Sequence, residues 1–312
     1  MAAGRIPGVA AIRIVVTGSR GFVGSALVPQ LRQAGHDVLR LVRPNTTTGD
    51  GVATWDPDHG TIDSAALDGA DAVVHLAGQG IGGTRWTQKG KARIRDSRVH
   101  GTTLIANTLA GMSRPPHVLL SASATGIYGD RDDEVLTEAS PPGTGFRAEV
   151  CRAWESATTT ASDAGIRVVS LRSAIVLSAT GGLLPFIVRP FRLGVGGPLG
   201  SGRQFVSWIS LRDEVRAIIH LIEAGDVAGP VNLCAPSPVR NRDLSEALGR
   251  VLRRPVKVRA PASLLRLLAG RERADEVLLS SQRTIPERLT GSRFTFEDPD
   301  LEPALRSILR RS

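Results

Sequence analysis

The chain has 312 residues, 41% of them hydrophobic and 22% charged, with a formal net charge of +9. That length suits one large α/β domain, or a large domain with a smaller one, and the balance excludes a disordered or fibrous chain. Two cysteines, Cys151 and Cys234, exclude a disulfide framework, and the six histidines lie too far apart for a zinc-binding helix, so no metal is expected.

No apolar run reaches bilayer-spanning length and residues 1–11 lack a signal-peptide pattern, so a cytoplasmic protein with no membrane partner is expected. The basic excess is almost all arginine, since only Lys89, Lys91 and Lys257 are lysines, and it concentrates from Arg240 onward with acids interleaved. With only 4% aromatic residues the chain is poor in stacking side chains among its charges, so no nucleic acid is expected. A small-molecule substrate is the expected partner, the arginines suiting an anionic one, and a homo-oligomer is compatible with the sequence.

In chain order, residues 12–16 form the first apolar, β-rich run, and a helix pattern over residues 22–34 is stopped by Gly35. Strands follow at residues 38–42, 72–76, 118–120 and 168–171, with a helix over residues 148–164 stopped by Gly165. Glycine-rich stretches at 181–182 and 194–202 then interrupt the alternation. A helix over 211–224 and a strand over 231–233 resume it, and from Arg242 the chain is mostly helical to Leu309. Near-continuous apolar strands alternating with helices predict an α/β fold, a Rossmann-type doubly wound parallel sheet with a smaller, mainly helical C-terminal lid domain. The sheet domain is expected over residues 10–178, with 211–234 returning to it, and the lid over 179–210 and 235–312.

Between the first strand and helix, residues 17–24 read Thr-Gly-Ser-Arg-Gly-Phe-Val-Gly. Gly18 permits the tight turn, Gly21 lets backbone approach a pyrophosphate, and Gly24 lets helix and strand pack closely. N–H groups at the helix start then face the anion, so Ser19, Arg20 and Phe22 join the glycines as cofactor-binding candidates. Arg43 ends the second strand where an NAD enzyme often carries an acid, and Arg20 offers a second guanidinium. Together they favour NADP(H) over NAD(H).

Residues 17–24, the run Asp71-Ala72-Val73-Val74-His75-Leu76-Ala77-Gly78 and the run from Ser121 to Gly129 together resemble the extended short-chain dehydrogenase/reductases. Arg85-Trp86, Ser97-Arg98-Val99, residues 200–204, Ser207-Trp208-Ile209 and residues 282–286 narrow this to the atypical branch called the epimerase family. Its members carry a C-terminal domain of unknown function. The resemblance implies bound NADP(H), with Leu76, Ala77 and Gly78 along the ribose, Ser121 beside the nicotinamide and Arg43 at the 2′-phosphate.

Most of that superfamily uses a tyrosine and a lysine one helical turn apart to move a proton. Here the one tyrosine, Tyr128, is followed four residues on by Asp132, and the expected place holds Phe146 and Val150. Ser123 and Tyr128 are the candidate proton carriers, with Glu149 or Glu155 as a base. Ser123 is equally a strand-end hydroxyl bonded to backbone, and Tyr128 equally a packing residue. Arg85, Trp86, Arg203, Gln204 and Trp208 are candidate substrate contacts, the tryptophans also fitting inter-domain packing.

Three readings stay open. The first is an NADP(H)-dependent oxidoreductase or epimerase acting on a small carbonyl or sugar-like substrate. In the second, an enzyme of the same fold keeps the dinucleotide as structure and does cyclisation, dehydration or isomerisation. The third is a non-enzymatic NADP sensor or scaffold.

Overall fold

The computed structural model describes residues 11–44, 46, 49–81 and 83–310. Ala10, Arg311 and Ser312, which bound the expected domains, and the first ten residues of the leader reading lie outside them. The chain forms two compact units, Met1–Ser123 with Ala153–Leu171 and Ile218–Pro230, and Ala124–Arg152 with Arg172–Ala217 and Val231–Ser312.

The main sheet begins with β1 (Arg13–Thr17), buried from Ile14 to Thr17 as an apolar run covered on both faces must be. Helix α1 (Gly24–Gln33) follows, then β2 (Asp37–Val42), β3 (Val52–Asp56) and the two-residue β4 (Thr61–Ile62). Strand β5 (Ala72–His75), helix α2 (Gln88–Ala110) and β6 (Val118–Ala124) come next. After the pairs β7 (Val135–Leu136), α3 (Phe146–Ser156) and α4 (Thr159–Asp163), the sheet is completed by β8 (Arg167–Ser173) and, later, β12. Strand β12 spans Gly229–Leu233. The strand order is β12-β8-β6-β5-β1-β2-β3-β4. Strand β1 pairs in parallel with β2 on one side and β5 on the other, so the chain reverses its direction of winding between β1 and β5. In such sheets this switch point, at the carboxyl ends of the strands, is where ligands bind.

Val15, Leu41, Val73 and Leu119 from the strands pack with Ile105 and Leu109 of α2 to form the first unit's core. The apolar periodicity does not announce α2, because its buried face interleaves Ile94 and Ile105 with Gly90, Arg98, Gly101 and Thr102. Gly90 is required there, since a Cβ would lie 1.9 Å from the Arg85 carbonyl oxygen. The helix expected over 148–164 is instead two, α3 and α4. The Thr158 hydroxyl bonds the Glu155 carbonyl oxygen at 2.7 Å, competing with the helical ladder where α3 ends.

The second unit holds β9 (Ile175–Leu177), α5 (Leu184–Arg192), β10 (Phe205–Val206), β11 (Trp208–Ser210) and the first half of α6 (Leu211–Glu223). Beyond β12 come β13 (Val239–Arg240), α7 (Asn241–Leu252), α8 (Ala262–Ala269), the short α9 (Arg271–Arg273) and a π-helical stretch over Ala274–Leu279. Strand β14 (Arg283–Thr284), α10 (Glu287–Gly291) and α11 (Leu301–Arg310) end the described chain. Phe191, Trp208, Leu248 and Leu305 centre its core. Residues 124–152 fall in this unit and not in the sheet domain where the alternation of elements put them. Their polar groups are spent on the C-terminal region, as Thr125 Oγ1 on the Gln282 side-chain oxygen at 3.2 Å. Among the described residues no helix is long and apolar enough to cross a membrane.

Candidate functional site

The turn after β1 is built by steric necessity. Gly18 has φ +64°, and a Cβ on it would stand 2.7 Å from the Leu76 carbonyl carbon. A Cβ on Gly24 would stand 2.3 Å from the Gly18 carbonyl oxygen, which instead accepts the Gly21 N–H at 2.8 Å. The turn therefore lies directly against the strand end that carries Leu76, Ala77 and Gly78. Thr17 Oγ1 ties the two together, accepting the N–H groups of Leu76 and Ala77 at 3.1 and 3.2 Å. It also sits 2.8 Å from Nδ1 of His75, whose pKa burial lowers to about 4.

Two hydroxyls at these strand ends are buried and have no hydrogen-bond partner among the described residues, Ser19 in the turn and Ser121 on β6. Ser121 is the register partner of His75, as His75 is of Thr17, so the three strand ends stand side by side. Helix α1 begins with no side-chain cap, and the N–H groups of Ser25, Ala26 and Leu27 bond the Gly21 and Val23 carbonyl oxygens of the turn itself. A glycine cradle, orphan hydroxyls and an uncapped helix start fit the diphosphate of a dinucleotide. Phe22 lies in the same turn, and Arg20 is exposed.

Arg43 is half-exposed, and its Nη1 is held by Asp58 at 2.6 Å and Asp56 at 3.2 Å. Nε and Nη2 have no hydrogen-bond partner among the described residues. The Asp56 carboxyl is itself held below its usual range, chiefly by the hydrogen bond from His59.

On the same side of the sheet, Ser123 Oγ donates to Oε1 of Glu155 at 2.7 Å. Ser123 is 5% exposed, at the carboxyl end of β6. Glu155 is held in place by its neighbour Trp154, whose Nε1 donates to Thr102 Oγ1 at 2.9 Å while Arg98 stacks 4.8 Å from its ring. Arg98 also donates to the Gln79 carbonyl oxygen at 2.9 Å, and its stem would touch a Cβ on Gly78. One buried arginine of α2 thus steadies both the Gly78 strand end and the helix that carries Glu155. Arg85 is exposed and Trp86 half-buried just before α2.

The other candidates lie in the second unit. Tyr128 is fully buried, its hydroxyl donating to Asn232 Oδ1 at 2.7 Å and accepting from Arg172 Nη1 at 2.9 Å. Burial pushes its pKa up. Its hydroxyl is enclosed by structural partners, so Tyr128 holds β12 to the turn at residues 125–128. Phe146 and Val150 are buried at the start of α3, and the Glu276 carboxylate caps that helix, accepting the Phe146 and Arg147 N–H groups at 2.9 Å. Glu149 is exposed, and both cysteines are buried.

Trp208 is 1% exposed and packs in the second unit's core, with Nε1 on the Ser237 carbonyl oxygen. It is a core side chain and not a ligand wall, its indole N–H satisfied internally. Gln204 is likewise buried, its amide donating to the carbonyl oxygens of Leu199 and Leu278. Arg203 is exposed, and its carbonyl accepts Arg240 Nη1. The residues of the runs at 207–209 and 282–286 serve as ties, with Ser207 Oγ bonded to the Gln282 carbonyl at 2.7 Å and to the Thr284 N–H at 2.9 Å. No group of three or more metal-ligating side chains gathers among the described residues.

Residues 14–234 match the NAD dependent epimerase/dehydratase family, and residues 260–308 match a domain of unknown function, DUF1731. An epimerase family protein of Mycobacterium bovis is 42% identical over 292 residues, covering 94% of this chain and 96% of that protein. The human epimerase family protein SDR39U1 is 33% identical over 301 residues, covering 96% of this chain and all of that one. The crystal structure of its isoform 2 with NADPH superposes with a TM-score of 0.88, over 96% of this chain and 100% of that chain. The chain belongs to the NAD dependent epimerase/dehydratase family, as a member with a C-terminal DUF1731 domain.

Proposed function

We propose that this protein is a cytoplasmic NADP(H)-binding oxidoreductase or epimerase of a small carbonyl or sugar-like, anionic substrate, with Ser123 and Glu155 moving the proton. The observation that carries the reading is the 2.7 Å Ser123–Glu155 hydrogen bond at the same strand ends as the glycine turn. NADP(H), when bound, supplies or accepts a hydride. Gly18, Gly21 and Gly24 with the Ser19 hydroxyl would hold its diphosphate, Arg43 and Arg20 its 2′-phosphate, and the strand ends at Leu76 to Gly78 and Ser121 its ribose and nicotinamide. The preference for NADP(H) rests on Arg43 and on the relative crystallised with NADPH.

Ser123 is placed to take the proton from a substrate hydroxyl while passing its own to the Glu155 carboxylate. In the opposite direction Glu155, as the acid, reprotonates the hydroxyl that has given its proton to a substrate oxygen. No tyrosine and lysine are needed for this exchange, and neither Phe146 nor Val150 can take part in it.

A fluorescence titration with NADPH and with NADH tests the cofactor half, after any nucleotide carried through purification is removed. Tighter NADPH binding supports it, and failure of folded, empty protein to bind either overturns it. Transfer of deuterium from labelled nicotinamide to product then tests the reaction. Conversion of a substrate without such transfer would favour a second reading, acid–base chemistry by Ser123 and Glu155 around a structural dinucleotide, which the missing tyrosine and lysine also suit.

A further inference from the structure

The second unit contains a cavity of about 180 Å³ in which Arg147 is the one charged side chain among the lining residues. Its guanidinium lies over Gly126, where a Cβ would come within 2.9 Å of Nε and Nη2. Nη1 donates to the Glu276 backbone carbonyl oxygen at 2.7 Å. The Glu276 carboxylate is occupied elsewhere, by the N–H groups at the start of α3. Among the described residues no carboxylate is bonded to the Arg147 guanidinium, and burial holds its pKa below the ordinary value. The Glu276 carboxylate acts on this guanidinium only through space, so an anion entering the cavity would give the cation a directly bonded partner and offset the cost of its desolvation. The other polar groups of the wall are already spent: Thr125 bonds Gln282, Ser173 bonds Glu214, and Ser207 bonds backbone.

A second cavity of about 320 Å³ lies beside it, lined mainly by apolar side chains that include Ile187, Phe191 and Leu265. Leu183 and Leu278 line both cavities. Gln204 bonds the Leu278 carbonyl oxygen at 3.2 Å, so the backbone of this partition is held while its leucine side chain keeps its rotamers. At the outer cavity Phe186 is 75% exposed, an apolar ring with little reason to face water unless something covers it.

We propose that the two cavities form one binding site for an amphipathic monoanion, with its charged head on Arg147 and its alkyl or acyl chain in the apolar cavity beyond Leu183 and Leu278. The site lies within the second unit alone and does not depend on the cofactor reading. A guanidinium accepts a carboxylate or a phosphate by the same two-pronged hydrogen bonding, so either head group satisfies the chemistry.

Calorimetric titration with octanoate, octyl phosphate, octanol and acetate tests this on the full chain. Octanoate or octyl phosphate should bind at least tenfold tighter than both octanol and acetate, and the stronger of the two identifies the head group. Arg147→Met should reduce that affinity at least tenfold, to the level of octanol, while NADPH affinity of the same samples stays unchanged. Equal binding of octanol and octanoate by the wild-type protein overturns the proposal without any variant. So does absence of binding by both anions, or a folded Arg147→Met protein with undiminished affinity. NADPH titration of the same wild-type sample separates these failures from failure of the cofactor reading.

Discussion

Thr17 Oγ1 and His75 Nδ1 are joined by a 2.8 Å hydrogen bond across the junction of β1 and β5, where the sheet reverses its winding. The threonine hydroxyl already accepts the N–H groups of Leu76 and Ala77, so its own proton goes to Nδ1, and the neutral imidazole carries its hydrogen on Nε2. The ring meets Trp55 edge-on, at 5.7 Å between centroids. Burial lowers the His75 pKa from 6.5 to about 4. Between those values the unfolded chain binds a proton that the folded chain does not. Stability should therefore fall as pH falls from 6.5 toward 4, by up to about 1.4 kcal/mol per pH unit from this group. Urea denaturation at pH 7.5 and 5 should show the loss, and His75→Gln should diminish it. Thr17→Val should cost about 1–3 kcal/mol at pH 7.5, since two strand-end N–H groups lose their acceptor.

Glu214 works with the opposite sign. It is buried at 2% exposure, accepts the Ser173 hydroxyl at 2.6 Å, and has its pKa raised from 4.5 to about 7 by burial. From pH 4.5 to 7 the folded chain holds a proton that the unfolded chain has released. The stability this confers is complete below 4.5 and is lost as pH rises through 7. Glu214→Gln should therefore be more stable than the parent at pH 8, with the difference narrowing at pH 5. Thermal unfolding at the two pH values checks it, and a variant less stable at pH 8 would show that the carboxylate is satisfied in its charged form.

Asp56 and Asp58 are both bonded to Nη1 of Arg43, so a 2′-phosphate bound there, as proposed, would compete with them. Arg43→Ala should weaken NADPH binding at least tenfold and leave NADH nearly unchanged. Asp58→Asn should tighten NADPH binding a few-fold, an effect that shrinks at high salt because the pair is exposed. Equal NADPH affinity in the parent and Arg43→Ala proteins would remove Arg43 from the cofactor site.

The glycine turn and most of the strands around it were legible because both rest on local rules: apolar runs for a sheet covered on two faces, and glycines where a Cβ has no room. Helix α2 was not legible, because its buried face is made of Gly90, Arg98, Gly101 and Thr102 as much as of apolar residues. What those residues meet lies outside the helix, Trp154 at 52 positions from Thr102 and Gln79 at 19 from Arg98, where helical periodicity cannot register it. The same holds for the site. Ser123 and Glu155 could each be named as candidates, but 32 positions separate them and only the fold shows that they bond. Arg147 could not be singled out among the many arginines, because what distinguishes it is its place in the wall of a cavity whose other lining residues are uncharged. Trp208 and Gln204 looked like ligand contacts because large or amide side chains next to glycine-rich loops serve both binding and packing.

Ser123→Ala should lower turnover by about 10²–10⁴-fold with NADPH affinity unchanged, as expected for a group that moves the proton. Glu155→Gln should cost less, since the amide still holds the hydroxyl by hydrogen bond but cannot receive its proton. The alkaline and acid limbs of the pH–rate profile should both change in Glu155→Gln, whereas a purely structural bond would alter stability and leave the profile's shape intact. Steady-state rates across pH, once a substrate is identified, decide between these.

Restoring the superfamily's tyrosine and lysine should not restore a proton carrier here. Phe146 is 9% exposed and Val150 is 3% exposed, both on the first turns of α3. A tyrosine hydroxyl at 146 can be accommodated at little cost if it reaches the surface, so Phe146→Tyr should change stability by less than about 1.5 kcal/mol. Val150→Lys buries an ammonium among apolar neighbours, and an uncompensated buried charge costs on the order of 3–5 kcal/mol. The single Val150→Lys protein should therefore unfold at markedly lower urea than the parent, or fail to accumulate in soluble form. If instead it is as stable as the parent, the α3 face at residue 150 has access to water, and Phe146→Tyr combined with Val150→Lys becomes a test of whether the superfamily's pair can be carried on this helix.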